Sequence, residues 1–152
     1  MSKSHDEPEL QNAYRFFNEI GIIAQLSSNQ MQRTLPHNLT LSQFSVLNWF
    51  VRVDAQASPG RLANAFQVTK GAMTNTLQRL EKRGLVQIAA DPRDGRGKLV
   101  SITEAGREMR ARCVAGIGPL CDDLSNKLTT REFASALPIL EKIRKHLDRH
   151  RK

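Results

Sequence analysis

Cysteine is scarce in this chain: Cys113 and Cys121 are the only two in 152 residues. They stand eight positions apart on one predicted helix, roughly 12 Å at 1.5 Å per residue, too far to bridge within it. That excludes a disulfide scaffold, fits a reduced, cytoplasmic setting, and leaves idle or buried thiols as the plain reading. No apolar run approaches the ~18 residues of a membrane span, so no membrane partner is expected. The polar N-terminus lacks the apolar core of a signal peptide. A catalytic constellation is missing too. None of His5, His37, His146 and His150 accompanies a Ser or Cys nucleophile pattern. His146 and His150 could share a metal from one helix face, but no third ligand is near in sequence, and a basic helix is the simpler account. The expectation is a non-enzyme with no metal and no cofactor. Internal repeats and low-complexity linkers are absent as well.

Charge of one sign is present in excess. Lys plus Arg number 23 against 15 Asp plus Glu, a net charge of +8 and an isoelectric point near 10.1. Such a balance is the electrostatic footprint of a nucleic-acid binder. Its distribution says more than its size. Lys70, Arg79, Lys82, Arg83, Arg93, Arg96 and Lys98 cluster together, opposed only by Glu81, Asp91 and Asp94. A second basic run, Lys142, Arg144, Lys145, Arg149, Arg151 and Lys152, faces only Asp148, whereas the first nine residues lean acidic.

Hydrophobic periodicity predicts a mainly α chain forming one domain over 1–152. Leu10, Ala13, Phe17, Ile20, Ala24, Met31 and Leu35 recur at helical steps and predict a long helix over 9–35, ended by Pro36-His37-Asn38. Thr40 and Gln43 have capping-box spacing and open a second helix through Phe44, Val46, Leu47, Phe50 and Val51. Ser58-Pro59 starts a short third helix carrying Leu62, Ala63 and Phe66. Thr69 caps a fourth, whose core face is Met73, Leu77 and Leu80 and whose end is Gly84. Val86 to Ala89 and Leu99 to Ile102 are strand-like, with turn chemistry from Asp91 to Gly97 between them. Thr103 caps a long helix, with a bend expected at Pro119. Thr129 and Glu132 form a second capping box before a last helix, which Pro138 should kink or delay.

Two short helices around a tight connection, followed at once by a basic hairpin, describe a winged helix-turn-helix lobe over 40–103. The helix-turn-helix covers about 58–83, and the two-stranded wing about 85–102. In such a unit one helix N-terminus enters the DNA major groove and a basic finger reaches the adjacent minor groove. The segments VTKGAMTNTLQRLEKRGLV (Val68 to Val86) and DPRDGRGKLVSITEAG (Asp91 to Gly106) resemble, in spacing, type and order, the recognition helix, wing and wing-to-helix junction of the MarR family of transcriptional regulators. The resemblance covers nearly the whole chain. It implies a homodimer whose flanking helices, 9–35 and 104–150, interlock, with each chain presenting its lobe to half of a palindromic double-stranded DNA operator. Two positions depart from the family pattern. Gln67 stands where glycine is frequent, which weakens the expectation of a left-handed turn, and Gly95 stands where a second arginine is frequent.

If Met73, Leu77 and Leu80 face the core, Gly71, Asn75, Gln78 and Lys82 lie opposite, with Lys70 and Thr74 flanking them near the helix start. Asn75 and Gln78 can pair bidentately with adenine, Lys70 can reach guanine or phosphate, and Thr74 can touch a thymine methyl. Gly71 and the capping Thr69 mark a helix end whose free N–H groups can meet a phosphate. Arg61, on the preceding helix, together with Arg79 and Lys82, are phosphate-contact candidates. A solvated helix face is the bland alternative for Asn75, Gln78 and Lys82, and the helix-turn-helix context outweighs it. In the wing Arg93, Arg96 and Lys98 supply the charge, and Asp94, two residues before Arg96, is expected to orient its guanidinium for a narrow minor groove.

The resemblance further implies a small-molecule effector site between the flanking helices and the lobe, with Phe17, Met31, His37 and Trp49 nearest it. Met and aromatic residues at helical spacing are more often core. The leading expectation is a sequence-specific repressor relieved by an effector. Its competitor is an architectural or protein-interaction winged helix with little base readout, against which the polar, small-residue face of Gly71, Thr74, Asn75 and Gln78 argues.

Overall fold

Residues 7–150 are described here from a computed structural model; His5, Asp6, Arg151 and Lys152 lie outside them, while Glu7 and Glu9 of the acidic start open the first helix. Contacts divide the chain into two compact units, one ending at Ile117 and the other beginning at Gly118. Six helices and a small three-stranded sheet make up the described residues. They are α1 (Glu7–Thr34), α2 (Leu41–Arg52), β1 (Gln56–Ala57), α3 (Pro59–Phe66), α4 (Lys70–Lys82), β2 (Val86–Asp91), β3 (Asp94–Ile102), α5 (Glu104–Ser125) and α6 (Thr130–Arg149).

The predicted caps form as the spacing requires. Thr40 Oγ1 accepts the Gln43 N–H while the Gln43 side chain accepts the Thr40 N–H, both at 3.1 Å. Thr129 and Glu132 repeat that reciprocal pair at the start of α6. Each box satisfies two of the donors that a helix start leaves unpaired. Between α1 and α2, Pro36–Asn38 form a single 3-10 turn in which His37 and Asn38 take positive φ values of 54° and 55°. Gln32 clamps that turn: its amide donates to the Leu39 carbonyl (2.9 Å) and accepts the Leu41 N–H (2.8 Å).

The core of the first unit is built by α2, α3, α4 and the sheet. Leu39, Val46, Leu47, Phe50, Leu62, Leu77, Leu80, Val100 and Cys113 are almost completely buried, with Met73, Leu85 and Val86 packed among them. The periodicity reading is right for Met73, Leu77 and Leu80 on α4. Val51 lies on α2 and is exposed. The strand pairing also exceeds the expected two-stranded wing. β1 pairs antiparallel with β3 through Gln56–Ser101 and Ala57–Val100, giving the order β1-β3-β2. A two-residue strand has no period of its own to read, and its identity comes from a partner more than 40 residues away.

Both prolines stand inside their helices, and the expected delay of α6 does not occur. α5 continues from Glu104 to Ser125 through Pro119, and α6 begins at Thr130, undelayed by Pro138. A proline removes one N–H bond to the preceding turn, and here the helix resumes on both sides of each. No helix among the described residues is long and apolar enough to cross a membrane.

Candidate nucleic-acid interface

α3 and α4 are joined by a connection whose geometry depends on one residue. Gln67 adopts φ 53°, ψ 43°, left-handed despite its side chain. The turn closes as a helix stop does: the Gln67 N–H reaches Asn64 O (3.2 Å) and the Val68 N–H reaches Ala63 O (3.1 Å). The Gln67 side-chain amide adds a bond to Asn64 O at 2.8 Å. That local bond offsets part of the roughly 1–2 kcal/mol that a side chain costs in this conformation. The absence of glycine therefore does not prevent the left-handed turn, contrary to the sequence expectation.

α4 begins immediately after. Thr69 Oγ1 accepts the Ala72 N–H at 3.1 Å, leaving the N–H groups of Lys70 and Gly71 at an open helix start. No atom lies within 4 Å of the place where a Gly71 Cβ would stand, so packing within the chain does not require glycine there. With Met73, Leu77 and Leu80 buried, Thr69, Lys70, Gly71, Asn75, Gln78, Arg79 and Lys82 are exposed and Thr74 is half-buried. The single acid of α4, Glu81, accepts the Ile88 N–H of β2 at 2.9 Å, which ties the helix to the wing. The far end of α4 is a full stop motif: Gly84 at φ 73°, its N–H on Glu81 O (2.8 Å), and the Leu85 N–H on Leu80 O (3.0 Å).

The wing has the expected extent, but its strands are longer and its tip sharper than its composition predicts. β2 and β3 pair from Val86–Ile102 up to Ala90–Lys98, and then Asp91 pairs with Asp94. The turn is Pro92–Arg93, and Gly95, Arg96 and Gly97 are extra residues on β3 at a register shift. Arg96 therefore stands on a bulge of the strand and not at the hairpin tip, where Arg93 sits. Both wing carboxylates serve the backbone. Asp91 accepts the Arg93 N–H (2.9 Å), and Asp94 accepts the Arg96 N–H (3.1 Å). The expected orientation of the Arg96 guanidinium by Asp94 is thus replaced by orientation of the Arg96 main chain, the short Asx link that such a side chain makes most readily. Arg93, Arg96 and Lys98 are all exposed.

Arg61 is exposed and already engaged. Its guanidinium meets Asp54 at 2.8 Å and lies 5.1 Å from the centre of the Trp49 ring. The Arg61 hydrogen bond, helped by the Gln56 N–H, holds the Asp54 carboxyl below its usual range. Both side chains are about half exposed (52% and 46%), a setting in which an ion pair adds little stability.

The four residues assigned to an effector site are not brought together within one chain. Phe17 and Met31 are fourteen residues apart on α1, about 21 Å at the helical rise. Phe17 lines shallow grooves on the α1 surface, while Met31 packs against the core. His37 is exposed in its turn. Trp49 lines a separate cleft of about 390 Å³ with Ser45, Asn48, Arg52, Val53 and Phe66. Sequence reasoning missed Arg110, whose Nε and Nη2 both donate to Asn48 Oδ1 at 3.1 Å beside that cleft. Only the fold brings together residues 62 positions apart. No group of three or more metal-binding side chains exists among the described residues.

A short helix, a left-handed turn, a capped helix with a polar outer face and a basic hairpin define a winged helix-turn-helix, a DNA-binding fold. Comparison with known proteins narrows this class. Residues 37–97 match a family model described as the MarR family. The chain is 32% identical over 136 residues to the multiple antibiotic resistance protein MarR of Escherichia coli, covering 84% of this chain and 94% of that protein. It is 30% identical over 114 residues to the transcriptional activatory protein BadR of Rhodopseudomonas palustris, covering 70% and 65% of the two. A crystal structure of a cysteine-to-serine mutant of E. coli MarR complexed with operator DNA superposes with a TM-score of 0.76 at 29% identity, over 91% of this chain and 99% of that one. The chain belongs to the MarR family of transcriptional regulators.

Proposed function

We propose that the chain is a homodimeric repressor that binds a pseudo-palindromic operator and is released by a small-molecule effector. The observation that carries base-specific reading is the division of α4 into a buried apolar face and an exposed face of Gly71, Asn75, Gln78 and Lys82. An outer face of amide and small side chains at an open helix start suits base edges and phosphates better than an apolar protein partner. The E. coli relative solved with operator DNA supports the same use of the fold.

Dimerisation is supported by apolar surface that one chain leaves uncovered. Leu10, Tyr14, Phe17, Ile23 and Leu26 on α1 and Leu137, Leu140 and Leu147 on α6 are all exposed. Stripes of this kind on regular helices mark association surfaces. A two-fold dimer places two α4 helices on half-sites about one DNA turn apart. Repression follows from occupancy, since a dimer covering a promoter excludes polymerase. Release requires only that an effector bind better to the form that does not fit the operator. The cleft beside Trp49, Asn48 and Arg110 joins an aromatic ring to polar side chains, a lining that suits such a ligand.

Selection of bound DNA from a random pool tests the reading. A pseudo-palindrome is the expected product, and an unenriched pool would favour the architectural alternative. A promoter fusion carrying that operator should fall in output when the protein is expressed. A rise would make the protein an activator, as the name of its BadR relative describes that protein.

A further inference from the structure

The C-terminal end of α4 is a junction of three elements. The Arg83 Nη2 donates to the carbonyl of His37, in the turn that ends α1, at 2.7 Å across 46 residues of sequence. The next residue, Gly84, gives its carbonyl to the Thr103 hydroxyl at 2.7 Å. The Leu85 carbonyl takes the Thr103 N–H at 3.1 Å. Thr103 also caps α5 by accepting the Gly106 N–H at 3.0 Å. Three consecutive residues thus fix the end of α4 to the 3-10 turn between α1 and α2 and to the first turn of α5.

Of these ties, only the Arg83 link is made by the side chain of the residue that caps the end of α4, and its partner is unusual. His37 and Asn38 are consecutive non-glycine residues with positive φ, a conformation that persists only where surrounding bonds hold it. Gln32 holds one side of that turn through Leu39 and Leu41, and Arg83 holds the other. Arg83 is not within reach of any carboxylate at ion-pair distance among the described residues. Its charged donor goes to a backbone acceptor, a bond worth more than a neutral one.

We infer that Arg83 is a positioning residue: by strapping α4 to the α1–α2 turn, it sets where each recognition helix stands relative to α1, whose exposed apolar face is proposed above to meet the second copy. This inference rests on the dimeric reading proposed above. Within one half-site the strap does nothing, because α4 keeps its own stop motif and its polar face. Across two half-sites it matters, since both helices must meet the DNA at one separation.

The test uses the full chain, its selected operator and a half-operator in which one half-site is scrambled. Arg83→Met removes the donor and keeps the length of the stem. It should fold and dimerise, bind the half-operator like the wild type with the same salt dependence, and lose about tenfold or more on the full operator. It should also tolerate operators with one base pair inserted between half-sites better than the wild type does. A loss on the half-operator, squared on the full operator and joined to a shallower salt dependence, would make Arg83 a phosphate contact and overturn the strap. Unchanged binding to both would overturn it equally. Should Arg83→Met fail to fold, Arg83→Gln, which retains a donor too short to reach with the same geometry, carries the same comparison. A wild-type chain with no preference for full over half operator would sink the dimeric reading, not the strap.

Discussion

Gly106, in the first turn of α5, lies directly against the main-chain carbonyl of Leu85, which leaves no room for a side chain between them. The contact sits beside the Thr103 bonds to Gly84 and Leu85, so the start of α5 and the end of α4 share one tightly packed corner. Backbone cannot yield there as the end of a flexible side chain would. Gly106→Ala should therefore destabilise the chain by about 1–3 kcal/mol, the usual cost of overpacking a well-filled site. Urea unfolding reads this directly, and a midpoint unchanged from the wild type would show that the corner can open. Gly71→Ala is the control. Its Cβ would meet open space, and alanine is the better helix former by about 1 kcal/mol. It should preserve stability while impairing DNA binding, if the helix start approaches a phosphate.

Asn75→Ala should relax sequence preference more than it weakens binding overall. The residue is exposed on the face opposite Met73 and Leu77, and its side chain makes no hydrogen bond among the described residues that its loss would break. A lost bidentate base contact is worth about 1–3 kcal/mol at one base pair and leaves the phosphate contacts in place. Titration of the operator and of its single-base variants distinguishes the cases. A common loss on every sequence would make Asn75 a backbone contact.

Cys113 and Cys121 should behave as two different thiols. Cys113 is fully buried, and desolvation pushes its thiol above the ordinary value of 9.0, the nearby Arg83 charge offsetting only part of that. Its thiolate is therefore scarce near neutral pH, and native protein should hide it from thiol reagents until unfolding. The sign for stability follows. Because the folded pKa is raised, the stabilising contribution is complete below about pH 9 and is lost as pH rises through the higher folded value. Cys113→Ala should flatten the decline of stability above pH 9. An equally steep decline in the variant would remove Cys113 from the account.

What was legible in the sequence was local. Thr40 with Gln43, Thr129 with Glu132, and the Met73-Leu77-Leu80 stripe all announce themselves within one helical repeat, and all form. What was not legible depends on partners far along the chain. β1 exists because Ser101 and Val100 stand opposite it. Arg83 meets His37 across 46 residues and Arg110 meets Asn48 across 62. The wing failed differently. Asp91 to Gly97 is rich in turn residues, so composition spreads the turn over all seven. The register instead closes it at Pro92–Arg93 and uses the two glycines to form a bulge around Arg96. Likewise Asp94 was paired with the Arg96 guanidinium by charge, whereas the shorter bond to its own neighbouring N–H prevails.

That correction changes how the wing should respond to mutation. Arg96→Ala removes an exposed cation from a bulge with no core to disturb, so stability should shift by less than ~0.5 kcal/mol. If the guanidinium enters the minor groove, where a narrow A·T-rich segment concentrates negative potential, operator affinity should fall sharply. The slope of log affinity against log salt should fall by about one unit per chain. Asp94→Ala acts on the main chain instead: it releases the Arg96 N–H, loosens the bulge and leaves the charge in place. Its salt slope should therefore match the wild type while its affinity drops, a split that a carboxylate steering the guanidinium alone would also give. The two are separated by Asp94→Asn. The amide oxygen can still accept the Arg96 N–H but carries no charge to attract a guanidinium. Near-complete retention of affinity in Asp94→Asn is expected from a backbone role, and a defect as large as that of Asp94→Ala would restore the ion-pair account. Operator titration at several salt concentrations, with thermal melting as the folding control, measures all three variants. An Arg96→Ala protein that melts normally and binds with unchanged affinity and slope would take the wing out of recognition and leave α4 to account for it.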